Sequence, residues 1–446
     1  MVQEPLFPGL PDCAPTQAPP PNVPTRPGQA RVYKPVRNQV EMMMRDLDSI
    51  LPEDHLARAV WAFVERLDLS AFYVPIKAIE GEPGHPATDP QVLVALWLYA
   101  TADGVGKARQ LDRLCHEHDA YRWLRGGVPI NYHMLADFRV EHGQALDDLL
   151  TQILATMAAE GLVDLERVCQ DGVRVRASAG AASFRREARL KQFLAQAQAQ
   201  VNRLAGELAN ELEQDAVPAE RPSRREEAAR LRAARERQER VERVLAELPL
   251  VQAAKKTEEQ RQQARASVSD PEARVMKMPD GGFRPAYNVQ LASQLNNQVI
   301  VGISVTNHGT DGAEAPPMLE QVQERNGATP NDYLIDGGAA TLKTVDELTR
   351  AGVTVYAPTQ PPRGSKRSQT EPRATDTPAV ADWRVRMGTE EGKAIYRERG
   401  MGECVNARLR QHGLYQFVVR GLQKVTCVML WMVIAHNLLR WMALTS

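Results

Sequence analysis

Two short apolar stretches, "RVCQDGVRV" (167–175) and "NDYLIDGG" (331–338), each carry an aspartate followed directly by glycine. Their Val, Ile, Leu and Tyr content and short length predict buried strands. Asp171 and Asp336 therefore put a carboxylate where an apolar strand meets a glycine. Burying an unpaired carboxylate costs several kcal/mol, so the fold must bring something cationic to each. An arginine is one solution and a divalent metal held by oxygen ligands is another; the two stretches alone leave both open. Asp332, at the start of the second stretch, reads as a turn or capping residue.

With 446 residues the chain is long enough for two or three domains and a sizeable core. A formal net charge of -1 gives no global case for a polyanionic partner, so any nucleic-acid site must rest on local patches. Cys13, Cys115, Cys169, Cys404 and Cys427 are odd in number and lack CxxC spacing, which fits a reducing cytoplasm. The "CHEH" run at 115–118 has no second ligand pair at zinc spacing. The most apolar run, "CVMLWMVIA" (427–435), is too short to span a bilayer and predicts a buried C-terminal helix, with no membrane association.

Residues 1–30 are proline-rich, without the apolar core of a signal peptide, and are expected to be a disordered lead-in. Residues 31–160 show apolar spacing of three and four and predict a helical domain. Its short helices and Gly-containing turns suit a helix-turn-helix-like DNA reader or a plain bundle. Residues 161–446 form the remaining domain, interrupted at 184–267 by an Ala/Arg/Glu/Gln/Leu-rich segment. That segment predicts an antiparallel helical hairpin, part coiled coil, broken near Pro218 and Pro222. Outside it, "GFRPAYNVQLAS" and "QVIVGISVTNHG" predict a hairpin, and Thr310–Glu314 a capping box opening a helix. Then come the Asp336 strand, a helix, the strand "VTVYAP", a basic Pro-rich loop (359–382), a long helix from about 389, a short strand "YQFVVRG" and the apolar helix. Without the insertion this order implies a mixed sheet with helices on its faces, an α/β fold.

The long helix carries "YRERGMGECVNARLR" (396–410). At ~100° per residue, Tyr396, Arg399, Glu403 and Arg410 share one face within roughly 60°. An ordinary amphipathic helix with an Arg399–Glu403 pair reads equally well. Gly400 and Gly402, each costing ~1 kcal/mol in a helix interior, make most sense where a backbone or ligand comes close.

The spacing Y-x2-R-x3-E-x6-K/R, met here by Tyr396, Arg399, Glu403 and Arg410, resembles the signature around the third catalytic acid of bacterial insertion-sequence DDE transposases. The family usually has lysine where this chain has Arg410, which keeps the charge and changes the shape of the contact. "VRGLQKVTCVMLWMVIAHNLLR", "DPEARVMKMPDGGFRPAYNVQLA" and residues 88–139 are similar to the family's C-terminal run, central strands and helical N-terminal domain, so the resemblance covers about 31–446 apart from parts of the insertion.

The resemblance implies an RNase H-like mixed sheet preceded by an all-α domain. It implies Asp171, Asp336 and Glu403 as catalytic acids and ligands of two Mg²⁺ ions, which Mn²⁺ can replace. It implies double-stranded DNA as partner, both the element's inverted repeats and the target, with a dimer on DNA. Tyr396, Arg399, Arg410, Arg174 and Arg176 would contact DNA, helped by Arg185, Arg186, Arg363, Lys366, Arg367, Arg373, Arg420 and Lys424. The rivals are a catalytically inactive or domesticated relative that only binds DNA, and an RNase H-like nuclease without strand transfer.

Overall fold

A computed structural model of the chain describes residues 44–78, 86–213, 224–359 and 368–445. The Pro-rich lead-in lies outside them, as do Pro218, Pro222, Arg363, Lys366 and Arg367. Asp46–Ser446 packs as one unit.

Its first part is helical: α1 (Leu56–Val64), α2 (Ser70–Tyr73), α3 (Pro90–Ala102), α4 (Ala108–Glu117), α5 (Asp119–Arg125), α6 (Tyr132–Glu141) and α7 (Gly143–Ala159). Helix α3 is apolar all round and buried almost throughout, the mark of a core helix rather than a surface one. Asp89 caps it through the amide of Gln91, with Pro90 in the first turn. In the "CHEH" run, His118 caps α5 through the Ala120 amide and Cys115 is buried in the core.

Strand β1 (Arg167–Arg176) follows, then β2 (Phe184–Arg185), α8 (Glu187–Glu213), α9 (Arg224–Ala253), α10 (Glu258–Gln262) and β3 (Ala266–Ser267). The start of α8 packs on the end of α9, Leu190 against Val244 and Leu248, so the hairpin is antiparallel. Pairing of β2 with β3 closes its base. The rest is β4 (Arg274–Lys277), β5 (Phe283–Gln294), β6 (Ile300–Thr306), α11 (Ala315–Asn326), β7 (Asp332–Leu334), α12 (Leu342–Arg350), β8 (Thr354–Tyr356), α13 (Pro378–Gly388), α14 (Glu390–Arg397), α15 (Gly400–Gln411) and α16 (Leu422–Thr445).

The main sheet runs β4-β5-β1-β7-β8, with β6 also on β5. Pairs among β4, β5, β6 and β1 are antiparallel, and β1–β7–β8 are parallel. A meander passing into parallel strands through helical crossovers is the mixed, RNase H-like α/β arrangement expected. Helix α11 lies so close on β6 that a Cβ at Gly302 would sit 2.7 Å from Met318 Sδ.

Helix α16 is longer than its most apolar run and is long and apolar enough to cross a membrane, but 67% of its most apolar window is buried inside the protein. Its polar residues are matched: Asn437 pairs with both the amide and the carbonyl of Ile300, and His436 Nε2 with Gln298 O. One hydrophobic cluster continues from Val60 and Trp97 through Trp431 to Val168 and Tyr333.

Several local expectations change. Strand β4, four residues with charged ends, carries too little apolar pattern to be read alone. "YQFVVRG" makes one bridge, Gln416 to Arg176, rather than a strand. The Pro-rich loop ends early, because Thr377 caps α13 and Pro378 opens it. Thr310–Glu314 is no capping box: α11 starts at Ala315, and no side chain caps it. The long helix from 389 is two helices, α14 and α15, broken at Glu398–Arg399.

Candidate functional site

Strand β1 holds Asp171 at the centre of the sheet, opposite Leu291 of β5. On its other side β1 pairs in parallel with β7, Cys169 facing Leu334. Continuing that register by two residues sets Asp171 opposite Asp336, which lies just past β7. The Asp336 carbonyl accepts from the amides of Ala339 and Ala340, turning the chain sharply so that the aspartate stands exposed at the strand end.

Helix α15 brings the third acid. A Cβ on Gly402 would lie 2.8 Å from Cys169 Sγ, so this glycine lets α15 rest directly on β1, whereas Gly400 has open space around it. Glu403, the next residue, keeps 68% of its side chain exposed. Burial pushes the Asp171 carboxyl above the usual range. Arg399 opposes this, while the neighbouring charges of Glu403 and Asp336 push it further up.

The cation beside Asp171 is Arg399, whose Nη2 donates to Asp171 Oδ1 at 2.6 Å and whose Nη1 lies 3.5 Å from Glu403 Oε1. An arginine, one of the two ways to compensate the Asp171 charge, is therefore present beside it. Among the described residues no three His, Cys, Asp or Glu side chains group closely enough to hold a metal ion; the guanidinium stands between two of the three carboxylates. The break between α14 and α15 makes this possible. It also overturns the single helical face: Tyr396 belongs to α14, Arg399 is the N-cap of α15, and only Glu403 and Arg410, two turns apart, share a face of α15.

Tyr396 is half-buried; burial raises its phenol, Arg399 opposes this and Asp336 adds to it. Arg410 is exposed. Arg174 is engaged with Gly309 O (3.1 Å) and Asp311 (3.5 Å), while Arg176, at the end of β1, is exposed. Asp332 pairs with Arg167, which also binds Glu398 at 2.9 Å and so ties the α14–α15 break to the sheet.

One further residue belongs to the site. Asn406 donates from Nδ2 to Asp171 Oδ2 at 2.7 Å, and its buried Oδ1 has no hydrogen-bond partner. It lies three residues after Glu403, so helical spacing alone placed it on the acid's side of α15. On the opposite face of β1 from Asp171, Asp311 accepts from Asn288 Nδ2 (2.6 Å) and Gln290 Nε2 (2.7 Å) next to Gly172. A Cβ on Gly172 would collide with Gln290 Nε2, which explains the glycine after Asp171. No sequence spacing signals Asp311, because a hairpin and a loop bring it there.

The transposase DDE domain family matches residues 360–442, which include Tyr396, Arg399, Glu403 and Arg410. The transposase domain family DUF772 matches residues 45–141, the helices α1–α6. No curated protein and no solved structure gives a significant match.

Proposed function

We propose that the chain, which the transposase DDE domain and DUF772 transposase domain families match at residues 360–442 and 45–141, is an insertion-sequence DDE transposase that binds the inverted-repeat ends of its element and cuts and joins DNA at Asp171, Asp336 and Glu403. The observation that supports this reading is that Asp336, 165 residues on, continues the β1–β7 register opposite Asp171, and that Glu403, from a separate helix, adds its charge to theirs. Helices of 31–160 would read DNA, and 161–446, with its insertion at 184–267, would do the chemistry.

Both steps are in-line displacements at phosphorus. Water attacks a phosphodiester and frees a 3′-OH; that hydroxyl then attacks a target phosphodiester, so one P–O bond forms as one breaks. Members of the family use divalent metals. The oxygen donors suit a hard cation such as Mg²⁺ or Mn²⁺, and Asn406, whose Oδ1 is unpartnered, adds a fourth oxygen-bearing side chain beside Asp171. Asp171, Asp336 and Glu403 would hold two ions, which when bound stabilise the attacking and leaving oxygens. Asn406 orients Asp171. The Asp336 turn, with Gly337 and Gly338, leaves room for a phosphate. Arg399, released from Asp171, would grip a phosphate oxygen with its fork, and Tyr396 and Arg410 flank the path. Arg174, held by Asp311, would act by fixing that loop, and Arg176 would meet the backbone directly. Joining two ends requires two copies of the chain on DNA.

A second reading, a relative that binds DNA without cutting it, is favoured by one observation: Arg399 is ion-paired with Asp171, which engages one of its carboxylate oxygens. Incubating Asp336→Asn with a duplex of the element's own end and Mg²⁺ separates the two. Cleavage by the wild type, lost in the variant with binding retained, supports the transposition chemistry. Cleavage that survives the substitution defeats the assignment, and a wild type that binds and never cuts favours the second reading.

A further inference from the structure

Away from the acids, a cavity of about 520 Å³ opens where α4, α6 and the α15–α16 connection meet the end of β1. Gly106, Lys107, Gln110, Arg139, Ser178 and His412 are among its lining residues, and no Asp or Glu is. Arg139 is 6% exposed. It donates through Nη1 to Gly106 O, its guanidinium lies 4.6 Å from the Trp97 ring, and its Nε has no partner. Among the described residues no carboxylate pairs with it, in contrast to the buried Arg384, which meets Asp376 at 2.7 Å. A buried cation left without an anion is costly, and the Trp97 face offsets only part of that.

Two more features point the same way. Helix α4, ten residues long, begins at the cavity: its N-cap Lys107, which makes no side-chain cap, and Gln110 of its first turn both line it, which sets the positive helix end beside it. Lys107 itself is exposed, at the mouth. An uncapped helix N-terminus, a buried unpaired arginine and a lysine around one cavity without carboxylates make an oxyanion site.

We propose that this cavity binds a phosphate of the DNA backbone, at a second point of contact distinct from the three acids. Ser178 lies seven residues beyond Asp171 along β1 and its extension, roughly 23 Å at strand rise, and the exposed Arg176 lies between. A duplex reaching from the acids along this edge would bring a phosphate to the cavity, which favours DNA over a free anion. The inference rests on the DNA-acting role proposed above.

The test uses the full chain, with Lys107→Glu and Gln110→Glu at the mouth, where folding is not at risk, and Lys191→Glu on α8 as a control. Binding to a labelled 30-base-pair duplex is followed across salt concentrations, and thermal unfolding is followed in millimolar inorganic phosphate against chloride of equal ionic strength. The expected result is that Lys107→Glu weakens duplex binding about tenfold and lowers the salt slope by about one, that Lys191→Glu does neither, and that phosphate raises the melting temperature of the wild type but not of Lys107→Glu. Protection by phosphate with an unchanged salt slope would overturn the DNA source in favour of a free anion. No effect in either assay would reduce Arg139 to a brace for the Gly106 turn and overturn the inference. A wild type that binds no duplex at all would instead overturn the proposed function, with the phosphate assay still reporting on the cavity.

Discussion

Arg399 Nη2 and Asp171 Oδ1 stand 2.6 Å apart, joined across 228 residues of chain, with 16% and 19% of the two side chains exposed. This pair holds the central carboxylate in place while Asp336 and Glu403 remain open to solvent. It also places the arginine where a bound cation would compete with it.

Replacing Arg399 with glutamine therefore has two expected effects. Without metal the fold loses ~2 kcal/mol, toward the low end for a buried pair because both groups keep some solvent. Mg²⁺ then stabilises the variant more than the wild type, since no guanidinium opposes it. Denaturant titrations with and without Mg²⁺ check both; equal Mg²⁺ stabilisation would show that Arg399 and the ion do not compete.

The glycines of α15 should behave oppositely. Gly402→Ala forces a methyl against Cys169 Sγ and should cost ~1–3 kcal/mol by lifting the helix that carries Glu403. Gly400→Ala meets nothing within 4 Å and should be neutral or slightly stabilising. Melting temperatures and end cleavage of both variants provide the comparison.

Removing the Asp311 side chain leaves the buried Asn288 Nδ2 without its acceptor, Gln290 Nε2 with Asn288 Oδ1 alone, and Arg174 without its ion pair. Asp311→Ala should cost ~2–3 kcal/mol. Asp311→Asn, which keeps one acceptor oxygen, should cost less. An alanine variant as stable as the wild type would show that the network is slack.

His436 gives the pH dependence a sign. Burial pulls its pKa down to about 4 from an ordinary 6.5. Between these values the unfolded chain binds a proton that the folded chain does not, so its contribution is present above about 6.5 and is lost as pH falls toward about 4. The loss amounts to roughly 3 kcal/mol at its limit. His436→Gln, whose amide can still donate to Gln298 O, should flatten the stability profile in that window; an unchanged slope between pH 6.5 and 4 would assign the acid sensitivity to other groups.

The sequence by itself determined what is local. Short Val- and Ile-rich runs marked β1, β5 and β6, Ala/Arg/Glu/Gln/Leu-rich composition marked the 184–267 hairpin, and an aspartate before glycine marked Asp171 on β1 and Asp336, which proves to lie exposed just past β7. These are legible because strand and helix periods are written in neighbouring residues. Only the tertiary structure decided that Arg399 is the arginine beside Asp171, where the helix before Glu403 breaks, that Asn406 joins the site, and that Asp311 braces the opposite face of β1. The partner of a buried charge is chosen by packing between segments far apart in the chain, and neither propensity nor period carries that information.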